Sequence, residues 1–107
     1  MKFDDYQKKA LSTLLPSGNN LPYVALGLAN EAGEVAGKIK KWIRDNNGDM
    51  QKLDKAAITD ELGDTLWYIA LMAHLLGINL ADVAQANVDK LSSRLERGRL
   101  AGSGDTR

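Results

Sequence analysis

The chain has 107 residues, with 14 Lys and Arg, 14 Asp and Glu, one His and no Cys, so its formal net charge is zero. This length fits one compact domain, because a second hydrophobic core would fall below the usual minimum size. The balanced charge argues against nonspecific binding to nucleic acid or anionic membranes, and the lack of Cys excludes disulfides, thiolate zinc sites and thiol nucleophiles.

Hydrophobic periodicity predicts four amphipathic helices separated by three breaks that are rich in turn-forming residues. Pro22 is typical of a first helical turn, Gly77 of the position just past a helix end, and Asn79 of an N-cap. No stretch alternates as a strand would. The first three predicted helices run from about Asp4 to Leu15, from Pro22 to Asp45, and from Leu53 to Leu76. The fourth begins after Asn79 and carries its apolar stripe from Leu80 to Leu95, and the composition changes from Gly98 onwards.

We therefore predict an all-α fold, a four-helix antiparallel bundle, because short loops join long amphipathic helices. The domain is expected to span residues 1–97, and the Gly- and Ser-containing residues 98–107 to form a flexible tail. Residues 66–76 are apolar around nearly the whole helix circumference. Because one helix of a small monomer cannot bury all of its faces, we expect a homodimer or a dimer of dimers, that is, a homotetramer.

No targeting or membrane segment is expected. The first residues, Met1–Asp5, are not followed by the apolar stretch of a signal peptide, and no apolar run approaches the roughly 20 residues of a membrane span. The absence of Cys is compatible with a reducing compartment. We therefore expect a cytoplasmic protein that binds neither membranes nor nucleic acid.

Four acidic residues form two like-spaced pairs on the second and third predicted helices. One pair is Glu31-Ala-Gly-Glu34 and the other is Glu61-Leu-Gly-Asp64. A spacing of three places each pair on one helix face, one turn apart, and beside the apolar stripe rather than opposite to it. We expect both pairs to face one groove between the two helices.

Carboxylates gathered in one groove repel each other, so a cation has to neutralise them or some have to stay protonated. An all-oxygen set suits Mg²⁺, with Mn²⁺ as a substitute. Gly33 and Gly63 occupy the same place in both motifs. A mid-helix glycine costs about 1 kcal/mol relative to alanine, which the close approach of a ligand or another backbone would explain. A di-iron centre is excluded because it needs two Glu-x-x-His sets and the chain has only His74.

Cationic and aromatic residues are expected beside the acidic groove, on the acid-bearing faces of the second and third helices and on one face of the fourth. Acid-bound Mg²⁺ with cations and aromatic rings nearby matches a nucleoside polyphosphate. Glycine-rich phosphate loops are absent from the sequence. The candidate substrate-binding residues are Lys38 and Trp42 on the second helix, Tyr68 on the third, and Asn87, Lys90 and Arg94 on the fourth.

The motif Glu31-x-x-Glu34, followed after 26 residues by Glu61-x-x-Asp64, resembles the signature of the MazG-like, all-α nucleoside triphosphate pyrophosphohydrolases. Relatives in that group include dimeric dUTPases, dCTP pyrophosphatases and phosphoribosyl-ATP pyrophosphatase. The pattern Asn87-x-x-Lys90 is also similar to that family, and the resemblance extends roughly over Pro22–Arg94.

The resemblance implies hydrolysis of a nucleoside triphosphate between its α and β phosphates, in a dimer or tetramer whose sites lie near subunit contacts. It also implies Mg²⁺ bound by the four acids. Glu34 is nominated both as a metal ligand and as the general base. Lys90 and Arg94 would hold the distal phosphates with help from Asn87, while Tyr68 and Trp42 would contact the base or sugar.

Two alternatives stay open at this point. One is a noncatalytic helical dimerisation module whose acids bind a metal or a protein partner. The other is phosphoribosyl-ATP pyrophosphatase, which shares the fold and the metal chemistry of the group that the sequence resembles.

Overall fold

The computed structural model describes all 107 residues and contains four α-helices and no strand. This confirms the predicted all-α class. Short 3₁₀ turns at Pro16–Gly18 and Met50–Lys52 lie in the first two connections. The helices are α1 (Phe3–Leu11), α2 (Leu21–Asn46), α3 (Lys55–Leu75) and α4 (Leu80–Glu96).

Helix α1 is shorter than predicted and ends at Leu11 rather than four residues later. The hydroxyls of Ser12 and Thr13 donate to carbonyls of the last helical turn. Such local bonds offer the backbone an alternative to a continuing helix. Pro16 then disfavours a helical conformation for the residue before it.

Helix α3 ends close to the predicted position, at a glycine with the required backbone. Gly77 has a φ of +71°, in the left-handed region that glycine enters without strain. Its N–H donates to the His74 carbonyl at 2.9 Å, and the N–H of Ile78 donates to the Ala73 carbonyl at 2.8 Å. This is the Schellman arrangement, which satisfies the last carbonyls of a helix.

Helices α2 and α3 lie antiparallel and form the most extensive packing in the chain. Gly27, near the start of α2, faces Tyr68 near the end of α3, whereas Lys38, farther along α2, reaches Glu61 near the start of α3. Helix α1 packs on α3. The contiguous buried core consists of Ala10, Val24, Ala70, Leu71 and Leu80, and Ala73 of α3 is buried as well.

Helix α4 does not fold back along α3, which corrects one part of the predicted antiparallel bundle. It leaves α3 at an angle of 101° and packs on α1 and α3 rather than along α2. A single chain therefore forms one antiparallel pair, α2 and α3, to which α1 and α4 attach. The physical reason lies in side chains of α1 that fix the start of α4.

Gln7 of α1 is 7% exposed and bridges α3 to the start of α4. Its Nε2 donates to the Ala70 carbonyl at 3.2 Å and to the Ile78 carbonyl at 3.0 Å. Its Oε1 accepts the N–H of Leu80 at 3.0 Å. One buried amide thus satisfies three backbone groups at the turn where α4 diverges from α3.

The N-terminus of α4 is capped from α1 rather than by its own N-cap residue. Asn79 occupies the predicted N-cap position, but its side chain makes no capping hydrogen bond. Asp4 Oδ1 instead accepts the N–H of Ala81 at 3.2 Å. Because Asp4 and Gln7 satisfy donors that the first turn of a helix leaves free, tertiary packing replaces the local cap.

We expect Gln7→Ala to lower the free energy of unfolding by about 2–4 kcal/mol, because each lost bond leaves a buried backbone group unpaired. Urea unfolding measures the change. The control is Gln85→Ala on α4, where the exposed amide bonds only to Asp89 within its own helix, and a change below about 0.5 kcal/mol is expected. Equal losses in the two variants would contradict the bridging role.

The single chain exposes a large apolar surface. Its accessible area is 7691 Å², whereas a compact monomer of 11.6 kDa exposes about 5,800 Å². Its radius of gyration is 16.8 Å against about 13 Å for a compact domain of this length. The chain therefore exposes roughly 1,900 Å² more surface than a compact monomer of its mass does. Exposed apolar side chains on α2, α3 and α4 include Leu26, Ile43, Leu62, Val88 and Leu95.

No helix is by itself long and apolar enough to cross a lipid bilayer, although α3 and α4 taken together across their bend have sufficient length and apolar composition.

Candidate functional site

Three carboxylates from α2 and α3 converge where the antiparallel helices face each other. Glu31 and Glu34 lie one turn apart on α2, and Glu61 approaches them from α3. One oxygen of each lies within 4.8 Å of an oxygen of each of the other two. Glu31 and Glu61 are half-buried, and Glu34 is exposed at the edge. We call these three residues the acid cluster.

Asp64, the fourth predicted acid, lies beside the acid cluster but is not one of its converging members. It is exposed. Its negative charge nevertheless contributes to raising the pKa of both Glu31 and Tyr68. Asp64 therefore stands close to the acid cluster, towards the end of the groove that carries Tyr68.

The carboxyls of Glu31 and Glu61 influence each other's pKa. Burial, and then the adjoining Glu61 carboxyl and the negative charges of Glu34 and Asp64, raise the pKa of Glu31 from 4.5 to about 7. The pKa of Glu61 is lowered, first by the Glu34 carboxyl and also by the Lys38 ammonium. Below about pH 7, Glu31 of the metal-free site therefore carries a proton, which offsets part of the negative charge of the acid cluster.

The acid cluster fits a hard divalent cation. The Oε2 atoms of Glu31 and Glu61 are buried and have no hydrogen-bond partner. An unsatisfied buried acceptor costs about 1–3 kcal/mol, more when it is charged. Carboxylate oxygens are the ligands that Mg²⁺ and Mn²⁺ prefer, and a cation between α2 and α3 would satisfy both orphaned atoms.

We expect binding of Mg²⁺ to displace the proton of Glu31, so that Mg²⁺ affinity rises between pH 6 and pH 8. Without metal, the raised pKa stabilises the fold fully below the unfolded value of 4.5, and this contribution is lost as the pH rises through about 7. Calorimetry in buffers of different ionisation enthalpy measures the released proton. The control is thermal unfolding of Glu31→Gln without metal. If its stability changed with pH between 4.5 and 7 as that of the wild type does, the raised pKa of Glu31 would be contradicted.

Lys38 and Trp42 lie at one end of the acid cluster, where α2 ends and α3 begins. Lys38 Nζ lies 3.5 Å from Glu61 Oε1, which makes it the cation that contacts the acid cluster. Trp42 Nε1 donates to the Asp49 carbonyl at 2.7 Å. Both side chains line a pocket of about 220 Å³.

Tyr68 lies at the other end of the acid cluster, packed against the backbone of α2. Its ring fills the space beside Gly27 and meets the Trp67 ring edge-on, with centroids 4.9 Å apart. Burial, and then Tyr23 and the charges of Glu31 and Asp64, raise its pKa. Tyr68 therefore keeps its hydroxyl proton and can act as a hydrogen-bond donor beside the acids.

The structure does not bring the α4 candidates to the acid cluster within one chain. Asn87 and Lys90 are exposed and line a separate groove with Ile78 and Val83, which no member of the acid cluster lines. Arg94 is 7% exposed, and its Nη2 donates to the Asp105 carbonyl at 2.7 Å. The guanidinium of Arg94 is therefore already hydrogen-bonded to the C-terminal residues. The flexibility expected of residues 98–107 stays a prediction.

Two structural features of the site were not identified from the sequence. Gly27 is required by the Tyr68 ring, whereas Gly33 and Gly63, which the sequence singled out, have open space where a Cβ would lie. Lys52 lines the pocket of Lys38 and Trp42 although it precedes α3 by three residues. Both features depend on how α2 and the connection after it pack against α3, and the hydrophobic periodicity of the sequence does not indicate this packing at these positions.

Comparison with protein families assigns most of the chain to a known group. The family model described as the MazG nucleotide pyrophosphohydrolase domain matches residues 21–98, which contain α2, α3 and α4. The chain belongs to the MazG nucleotide pyrophosphohydrolase family. The resemblance inferred from the paired acidic motifs is thereby confirmed, and the MazG domain implies a hydrolase with a nucleotide substrate. The acid cluster agrees with the divalent-metal dependence typical of MazG proteins.

Two relatives are similar to this MazG chain over most or all of its length. Gene 37 protein of Mycobacterium phage L5 is 41% identical over 114 aligned positions that cover the whole of both chains. The uncharacterized protein YvdC of Bacillus subtilis (strain 168) is 32% identical over 81 positions, which cover 70% of this chain and 76% of YvdC. No solved structure matches. Neither name states a substrate.

Proposed function

We propose that this MazG-family protein hydrolyses nucleoside triphosphates, carrying ribose or deoxyribose, to a nucleoside monophosphate and pyrophosphate. The proposed cofactor is Mg²⁺, for which Mn²⁺ can substitute. The observation that carries the proposal is the convergence of Glu31, Glu34 and Glu61 from two neighbouring helices, with two buried oxygens left unpartnered. The proposed role is control of the cytoplasmic nucleotide pool by removal of unwanted triphosphates.

The acids are assigned different tasks. When bound, the divalent ion would lower the pKa of water and offset charge on the pyrophosphate leaving group. Glu31 and Glu61, whose buried oxygens lack partners, are assigned as ligands, and Asp64 completes the set from the exposed side. Glu34 is assigned as a ligand and as the base for the attacking water, because its position at the solvent edge leaves it open to a water molecule.

The two ends of the groove supply the substrate contacts in this proposal. Lys38, 3.5 Å from Glu61, is placed to transfer its ion pair to a phosphate oxygen once a cation neutralises that carboxylate. The Tyr68 hydroxyl is assigned to the sugar or base. Trp42 forms a wall of the pocket beside Lys38.

The proposed assembly is a homodimer or a homotetramer. The exposed apolar surface of α2, α3 and α4 supports it, since the single chain shows far more area than a compact monomer does. Asn87 and Lys90 fit a phosphate-binding role only in such an assembly, because α4 does not run along α2 within one chain. Arg94 can take the same role only if its hydrogen bond to the Asp105 carbonyl is broken.

Release of pyrophosphate from a panel of ribo- and deoxynucleoside triphosphates and phosphoribosyl-ATP tests the proposal. We expect Mg²⁺-dependent turnover of at least one nucleoside triphosphate. This turnover should stop when EDTA removes the metal, and it should be lost in Glu34→Ala. Turnover of phosphoribosyl-ATP alone would replace the proposed substrate class. No turnover of any member would remove the enzymatic proposal and leave a metal- or protein-binding helical module.

A further inference from the structure

A lysine-lined pocket adjoins the acid cluster at the end where α2 finishes and α3 starts. Its volume is about 220 Å³, and Lys38, Lys41 and Lys52 reach it from α2 and from the connection to α3. Lys38 also contacts Glu61 of the acid cluster, so the pocket and the cluster are continuous. We call it the lysine pocket.

Two of the three lysines of the lysine pocket, Lys41 and Lys52, form no ion pair within the chain. The chain has two ion pairs, Lys38–Glu61 and Arg44–Asp45. Asp45 lines the lysine pocket, but both of its oxygens accept from Arg44, at 2.7 and 3.0 Å. Lys41 lies near enough to Asp45 to help Arg44 lower the pKa of that carboxyl. Neither Lys41 nor Lys52, however, has a carboxylate oxygen within 4.0 Å. Both ammonium groups are therefore free to contact an anionic ligand.

A second acid at the rim, Asp54, is also engaged. It is the N-cap of α3, and its Oδ1 accepts the N–H of Ala57 at 3.0 Å. Its charge is thus directed at the helix N-terminus, where it interacts favourably with the helix dipole.

The wall that positions Lys52 is fixed by a tryptophan. The Trp42 indole donates to the Asp49 carbonyl at 2.7 Å, which holds the connection between α2 and α3 against α2. Leu53, Ala57 and Ile58 add apolar lining beneath the lysines. Low-polarity walls strengthen the attraction between the ammonium groups and an anion.

The groove is strongly asymmetric in charge on the two sides of the acid cluster. Towards the lysine pocket, α2 carries Lys38, Lys41 and Arg44. In the other direction, neither residues 21–30 of α2 nor residues 65–73 of α3 include a lysine or an arginine, and Tyr68 lies there instead. A substrate with an anionic end and a nucleoside end has one favourable orientation in such a groove.

We propose that the lysine pocket binds the pyrophosphate end of the nucleoside triphosphate, that is, the β and γ phosphates and the released pyrophosphate. The nucleoside then points towards Tyr68. This inference rests on the proposed function. Lys41 and Lys52 contact the distal phosphates from the same chain as the acid cluster, and Trp42 positions Lys52 rather than stacking on a base.

Calorimetric titration of the full chain with inorganic pyrophosphate in Mg²⁺ tests the inference without requiring turnover. We expect Lys41→Ala and Lys52→Ala each to weaken pyrophosphate binding about tenfold. Trp42→Phe should also weaken it, because the hydrogen bond to the Asp49 carbonyl that holds the connection carrying Lys52 is lost. Affinity should fall as ionic strength rises. The control is Lys9→Ala, an exposed lysine on α1 that lines no pocket with the acid cluster, and its affinity should stay unchanged.

Three outcomes would overturn the inference. The wild type could bind no pyrophosphate, or both lysine variants could bind it as tightly as the wild type does. Alternatively, the lysine variants could keep their affinity for pyrophosphate and lose affinity for adenosine, cytidine, guanosine or uridine monophosphate. The last outcome would assign the lysine pocket to the nucleoside. An active enzyme with unaffected lysine variants would refute the pocket and keep the proposed function. A protein that binds pyrophosphate through these lysines but hydrolyses no triphosphate would keep the lysine pocket and refute the proposed function.

Discussion

Glu61→Gln is expected to lower the rate of pyrophosphate release by about 10²–10³-fold, because a metal ligand supplies several kcal/mol of charge stabilisation in the transition state and about 1.4 kcal/mol corresponds to a tenfold change. Glu61 is the only converging acid supplied by α3, and its buried Oε2 has no partner within the chain. Glutamine keeps the shape of the side chain but removes the negative charge that a cation needs. The measurement is kcat at saturating Mg²⁺ with the best triphosphate of the panel.

The matched control for this prediction is Asp60→Asn. Asp60 precedes Glu61 on α3, is exposed and makes no ion pair, so its neutralisation should leave kcat within about twofold. Both variants should keep the helical circular dichroism of the wild type. An undiminished rate in Glu61→Gln, with Asp60→Asn also unchanged, would remove Glu61 from the metal-binding set.

Gly27→Ala is expected to destabilise the fold by about 2 kcal/mol, which lowers the melting temperature by about 10 °C. A Cβ at Gly27 would lie 2.7 Å from Cδ1 of Tyr68, and closer still to two other atoms of the ring. Trp67 packs against the ring, so the ring has little room to move away. Overpacking of this kind costs up to about 3 kcal/mol, and the better helix propensity of alanine recovers about 1 kcal/mol of it.

Gly33→Ala is a control on the same helix with the opposite expected sign. No atom lies within 4 Å of a Cβ built at Gly33, so the substitution should raise stability by about 1 kcal/mol through helix propensity alone. Melting curves are to be compared at one protein concentration, since oligomerisation makes them concentration-dependent. In a Tyr68→Ala background, Gly27→Ala should no longer destabilise the fold, because the ring that the new Cβ would meet is gone. A stabilising Gly27→Ala would show that Tyr68 does not fill the groove in solution.

The helices and the acidic motifs were predictable because both depend on local periodicity. A repeat of 3.6 residues defines a helix face, and a glycine past its last turn defines an end, as Gly77 does. The convergence of Glu31, Glu34 and Glu61 needs only that two antiparallel helices face each other with these positions inward. The end of α1 was predicted less well, since Ser12 and Thr13 bond to the backbone in a way that apolar periodicity does not register.

The position of α4 was not predictable, because its direction depends on contacts between residues far apart in the chain. Gln7 and Asp4 of α1 bond to the first backbone groups of α4, and this sets the 101° angle to α3. The same angle leaves Asn87 and Lys90 away from the acid cluster. Arg94 is buried against the Asp105 carbonyl for an equally nonlocal reason.

The amino-acid order alone determined that this is a helical protein with two spaced pairs of acids and the MazG family signature, because each of these features repeats within one or two helical turns. The tertiary structure decided which three acids meet, that lysines from α2 and its connection gather at one end of them, and that Tyr68 requires a glycine opposite. Those features arise where side chains of separate helices meet, and the free energy of such contacts depends on packing and burial that no single segment contains.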